Sequence, residues 1–154
     1  MAATFTTLSY LTEAELQRAH QVAETIREGF ARHVIDIPAT PEDALTEFVR
    51  LRSIPLPTQQ DKDALHQLAM YVTAFLTVIR DRAHTDGAAP LWCRSALGAR
   101  TQWLDADAGV RSALTAGAYL TPHIESEQAA HVVMLEAVHK ALDAIVFEGL
   151  TRGM

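Results

Sequence analysis

The chain has 154 residues, 49% apolar and 21% charged, with a formal net charge of −6. That is enough apolar material for one buried core, and it excludes a disordered chain. The acidic balance disfavours nucleic acid as a partner, the single Cys93 excludes an internal disulfide, and no apolar run approaches the ~18 residues of a membrane span.

The opening residues lack the basic start and long apolar stretch of a secretory leader, so a cytoplasmic location is expected. Residues 1–11 read as a Thr-rich lead-in, with Phe5 and Leu8 available to pack on the domain. Residues 12–154 read as a single all-helical domain, an assignment favoured by 26 alanines against 7 glycines. Four threonines stand where helix-spaced apolar patterns begin: Thr12 before Glu15, Thr40 before Pro41 and Asp43, Thr58 before Asp61, and Thr121 before Pro122. A threonine oxygen accepts from a free N–H of a helix's first turn, an acid three residues on reciprocates, and proline suits the first helical position.

The first helix is expected from Thr12 to about Val34, with Leu16, Ala19, Ala23, Ile26, Phe30 and Val34 at helical spacing. A second, short helix starts at Thr40–Pro41, carries Leu45, Phe48, Val49 and Leu51, and stops before Pro55 and Pro57. The third runs from Thr58 to about His84 and ends at Thr85–Asp86–Gly87. Residues 88–104 look helical with an interruption at Gly98, another helix spans about Asp105 to Leu120, and the last runs from Thr121 to about Leu150. Gly109, Ala113 and Gly117 make a small-residue ridge against which another helix can pack closely.

Two helices are apolar on both sides. At about 100° per residue, His131, Leu135, Val138, Leu142 and Ile145 share one face of the last helix. Val133 and Phe147 lie opposite, among Glu136, Lys140 and Asp143. In the third helix Met70, Ala74 and Val78 sit opposite the main stripe of Leu65, Leu68, Val72, Phe75 and Ile79. A two-faced helix belongs in a larger core or in an oligomer interface, so a homodimer is expected.

Chemistry is harder to find. His20–Glu24, Asp63–His66, Asp81–His84 and Glu136–His139 have the spacing of metal-ligating pairs in helical bundles. They fall on the flanks of their helices and not on the core faces where ligands must converge, so no metal and no cofactor are expected. His131 lies within an apolar stripe with Glu127 one turn earlier; with His20 these form a candidate ligand site. Trp92, Arg94, Arg100 and Trp103 form an aromatic–basic set suited to a protein partner. Cys93 has no histidine near it in sequence, and no phosphate loop, dinucleotide fingerprint or nucleophile elbow is present, so no catalytic residues are assigned.

Arg27–x5–His33 resembles the Arg–His spacing of helical HEPN-type ribonucleases, but Glu28 stands where that pattern has Asn, His or Asp. The ending ALDAIVFEGLTRG resembles the last, dimerising helix of TetR-type regulators, with no DNA-binding helix-turn-helix before it. No family is assigned on either.

The expected fold is therefore an all-α, single-domain bundle of five or six helices, with long central helices near 58–84 and 122–150. The expected function is a non-enzymatic, dimerising interaction or regulatory protein with no membrane or nucleic-acid partner. The alternative is a helical-bundle enzyme or sensor that binds a metal or small ligand around His131, Glu127 and His20. An acidic inhibitor that competes with nucleic acid for a basic partner is a third possibility that the charge allows.

Overall fold

A computed structural model describes residues 10–86 and 89–152, apart from the side chains of 84–86, 151 and 152. Phe5, Leu8 and Gly87 lie outside the described residues. Five helices make an all-α bundle: α1 (Glu13–Glu28), α2 (Pro41–Arg52), α3 (Gln59–Asp86), α4 (Leu91–Ala116) and α5 (Thr121–Arg152).

The local start signals work as their chemistry requires. Thr12 Oγ1 accepts from Glu15 N at 3.1 Å, and Glu15 Oε1 accepts from Thr12 N at 2.9 Å, which is a complete capping box. Thr40 accepts from Asp43 N at 3.1 Å ahead of Pro41, and Thr58 and Asp61 exchange the same pair of bonds at 3.1 and 2.9 Å. α5 departs from the pattern. It begins at Thr121 itself, with the Leu120 carbonyl accepting from Ile124 N at 2.9 Å, so Thr121 is the first helical residue and not the cap.

Two other boundaries differ from expectation. α1 stops at Glu28, because Gly29 turns its N–H back onto the Ile26 and Arg27 carbonyls. Phe30 still packs on the core from the following loop, which buried Gln67 holds by donating to Arg32 O at 2.7 Å and accepting from Val34 N at 3.3 Å. Residues 91–116 form one helix, unbroken at Gly98. A Cβ at Gly98 would meet nothing within 4 Å, so this glycine faces open space while Ala96, Leu97 and Ala99 anchor the helix on either side.

The centre is α3. From Leu68 to Leu76 it is buried all round, and Met70, Ala74 and Val78 are covered as fully as the stripe opposite them. Its second apolar face is thus satisfied within one chain, by α1, α2, α4 and α5 arranged about it. α5 behaves differently. Met134, Val138, Ala141, Leu142 and Ile145 enter the core, yet Val133 is 52% exposed and Phe147 63% exposed.

α4 and α5 pair with each other along their length, but only half of that hairpin belongs to the bundle. Cys93, Ala96, Leu97 and Ala99 of α4 are core residues, whereas between Thr101 and Val133 only Ala113 is buried. Beyond Trp103 the α4–α5 hairpin therefore continues as a two-helix arm, about 20 Å long on the α4 side at ~1.5 Å per residue. Ala113 and Gly109 pack it together, a Cβ at Gly109 lying 3.8 Å from His123 Nδ1. Gly117 has a different task from the other two small residues. At φ 67° and ψ 25° it closes α4 in the left-handed conformation, where glycine carries no Cβ penalty.

Candidate functional site

Where the arm leaves the bundle, three helices bring polar rings together. His66 of α3 and His131 of α5 are half-buried, with Nδ1 of the first and Nε2 of the second 3.0 Å apart. One ring must donate and the other accept. Trp103 of α4 covers the pair, its ring 4.7 Å from His66 and 6.2 Å from His131 between centroids. The Trp103 indole N–H donates to Glu127 Oε1 at 2.7 Å. Phe30 closes the other side, edge-on to His66 at 6.1 Å and to Tyr71 at 5.9 Å.

Burial holds the His66 imidazole neutral, pushing its pKa from the ordinary 6.5 down to about 4. The adjacent His131 adds to this, against the opposing pull of Asp107 and Asp63. Burial lowers His131 too, with Glu127 acting the other way. Two rings sharing one N–H···N bond, roofed by an indole, make a polar contact between arm and bundle.

Sequence reasoning singles out His131 and Glu127 and misses His66, which its helical position assigns to a solvated flank. Asp63 one turn earlier is exposed, but His66 is half-buried because Phe30, Trp103 and His131 pack against its ring. Glu127, expected beside His131 in the candidate ligand site, accepts from Trp103. His20 does not join them: its Nε2 lies 2.9 Å from Ala39 O, and its ring meets Phe75 edge-on, so it fastens α1 to the start of α2. The expected His131–Glu127–His20 constellation is therefore a His66–His131–Trp103–Glu127 cluster, with His20 elsewhere.

The aromatic–basic set on α4 separates in the same way. Trp92 packs edge-on to Tyr10 at 6.0 Å, and Arg94 Nε donates to Ala89 O at 3.0 Å. Arg100, half-buried beside Arg80, reaches Thr73 Oγ1 at 3.5 Å, and its Nε finds no partner among the described residues. Trp103 belongs to the histidine cluster. The four do not share one surface patch.

Among the paired carboxylates and histidines, Asp63 and Asp81 are at least partly exposed, as their helix positions require. His139 tilts over Phe48 at 5.3 Å between ring centroids, and Arg52 Nη1 donates to its Nδ1 at 3.0 Å. No group of three or more His, Cys, Asp or Glu among the described residues is arranged to hold a metal ion. Cys93 is fully buried with Sγ 3.2 Å from Leu76 O, and burial pushes its thiol up to about 11. That is a packing cysteine, with almost no thiolate at neutral pH.

A polar lock unforeseen in the sequence lies at the opposite end of the bundle. Arg82 of α3 donates through Nε and Nη2 to the two oxygens of Glu15, both at 2.8 Å, and through Nη2 to Tyr10 O at 3.0 Å. Its guanidinium also stands 4.6 Å from the Tyr10 ring centroid. Burial alone would raise the Glu15 pKa, but the Arg82 bonds and the Thr12 N–H outweigh it and hold the carboxyl below its usual value.

Among the described residues no helix is long and apolar enough to cross a membrane. Comparison with family models, with curated proteins and with solved structures finds no match for this chain.

Proposed function

We propose that this protein is a non-enzymatic, dimerising interaction protein that presents the α4–α5 hairpin and the outer face of α5 to its partners. One observation carries the reading: large apolar side chains sit in solvent along these two helices while the middle of α3 is buried all round. Leu104, Leu114, Tyr119 and Ile124 are exposed on the arm, and Val133, Phe147 and Leu150 on α5. An apolar surface concentrated on two neighbouring helices marks an association site more often than a monomer's surface. His20, His66, His131, His139, Trp92, Trp103 and Cys93 are each engaged in packing or internal hydrogen bonds, which supports the same reading.

Sedimentation velocity across micromolar to tens-of-micromolar protein tests it. A dimer is expected. A monomer throughout that range would overturn the dimeric reading.

A second reading rests on the His66–His131 contact: a sensor whose ligand or proton acts at the junction of arm and bundle. Native mass spectrometry of protein purified without chelators separates the two. Retained metal or small-molecule mass, lost in His131→Ala, would favour the sensor.

A further inference from the structure

The uncovered face of α5 is complementary to itself. At about 100° per residue, Ala129, Val133, Glu136, Lys140, Ala144 and Phe147 run along one side of the helix, away from buried Met134, Val138 and Ile145, with exposed Asp143 at its edge, 3.9 Å from His139 Nε2. A groove of about 470 Å³ lies along this face, between Val133, Ala137 and Lys140 of α5 and Leu91, Trp92 and Ser95 of α4. The order of residues is the important feature. Setting aside Asp143 at the edge, the six residues run small, large, acid, base, small, large toward the C-terminus, and reading them backwards places a small residue opposite each large one and a base opposite the acid.

We propose that this face is the contact between two copies of the chain, with α5 antiparallel to its counterpart and the two-fold axis crossing between Glu136 and Lys140. The inference rests on the dimeric reading above and specifies its surface. In this register Phe147 covers the partner's Ala129, Val133 covers the partner's Ala144, and Glu136 meets the partner's Lys140. Each contact occurs twice, because a two-fold interface uses the same patch on both subunits. Large residues meet small ones, so the helices can approach at the ordinary 8–10 Å of packed helices. An unrelated helical partner would have no need of this inverted order in charge and size.

The test is a charge swap read by analytical ultracentrifugation on the full chain. Glu136→Lys places two lysines together at each of the two ion-pair sites, and Lys140→Glu places two glutamates together. Each is expected to weaken the dimer about tenfold without lowering the melting temperature of the subunit. The double variant Glu136→Lys with Lys140→Glu rebuilds both pairs and should return the dimer to within about threefold of the parent chain. Phe147→Asp, which removes a ring from both halves, should weaken it about a hundredfold or more.

If the parent chain dimerises but Phe147→Asp and both single swaps leave its affinity unchanged, the copies meet elsewhere and this inference fails while the dimeric reading stands. If the parent chain is a monomer, both fail. Singles that weaken without rescue by the double variant would overturn the antiparallel register.

Discussion

The two ends of α4 lie in one helix and have opposite fates. Its first half buries Cys93, Ala96 and Leu97 against α3, and in its second half only Ala113 is buried. The bundle half is cross-linked by distant contacts: Arg82 to Glu15, Gln67 to the loop after α1, His20 to Ala39. The arm half is held by one neighbouring helix. Stability in this molecule is therefore unevenly distributed, and the least supported segment carries much of the exposed apolar surface. Substitutions that act globally in one region and locally in the other would demonstrate that division, and uniform effects would break it.

The largest expected contrast is between Phe48→Ala and Leu114→Ala. Phe48 is fully buried at the meeting of α2 with α3 and α5, so truncating it should cost about 3–5 kcal/mol in global unfolding. Leu114, 63% exposed on the arm, should cost less than about 0.5 kcal/mol. Urea denaturation of both variants at low protein concentration checks this. A large loss in Leu114→Ala would mean that the arm is integral to the folded unit.

Next in size is the lock at the far end. Arg82→Ala strands a buried carboxylate, and about 3 kcal/mol or more should be lost at neutral pH. Because the folded Glu15 pKa is held below 4.5, the stabilisation is present above that value and fades as pH falls through the lower, folded one. Arg82→Ala should thus show a shallower loss of stability in strong acid than the parent chain. An unchanged slope would remove Glu15 from the account.

Close behind comes the histidine pair, which acts at higher pH. His66 titrates near 6.5 in the unfolded chain and at about 4 in the folded one, so the unfolded state takes up the proton first. Its contribution is complete above about pH 6.5 and declines as pH falls toward 4, by up to about 3 kcal/mol. Asp63, Asp107 and Glu127 face the cluster from α3, α4 and α5 and moderate that loss, whereas His131 deepens it. His66→Gln should flatten the stability profile between pH 6.5 and 4. Thermal melts at half-unit steps would decide, and an equally steep profile in the variant would show that the pair is not responsible.

The features legible in the sequence and those hidden from it divide by the reach of the interaction. Caps at Thr12, Thr40 and Thr58 are interactions across three residues, so the letters alone contain both partners. The two-faced character of α3 and α5 is equally visible, but not that α3 is sealed within one chain while Val133 and Phe147 of α5 stay in solvent. That outcome depends on which helices become neighbours. His66 escapes notice for the same reason. Its position on the wheel places it on a flank, although Met70, Ala74 and Val78 already indicate that α3 has no solvent side through its middle. Gly98 misleads in the opposite direction. A glycine costs about 1 kcal/mol in a helix, too little to break one anchored by Ala96, Leu97 and Ala99. Ala39, Glu15 and Glu127 lie 19 to 67 residues from the His20, Arg82 and Trp103 they bond, and no local pattern encodes them.

The most local expected effect is also the sharpest probe of the arm. Gly117→Ala forces a Cβ into the left-handed turn that closes α4, although a Cβ there meets nothing within 4 Å. The penalty is conformational, about 1 kcal/mol, and falls on the connection between the arm's two helices. In a uniformly cooperative molecule that cost would lower the stability of every amide alike. In a molecule whose arm opens by itself it appears where the opening occurs. Amides between Thr101 and Ala130 should then exchange about fivefold faster in Gly117→Ala, while those of α3 at Leu68–Ile79 keep their protection, because local opening draws only on the contacts it breaks. Equal acceleration in α3 would unite the two regions into one folding unit and remove the distinction drawn between them. Acceleration confined to the arm would identify residues 101–133 as a segment free to rearrange on a partner while the bundle beneath stays intact.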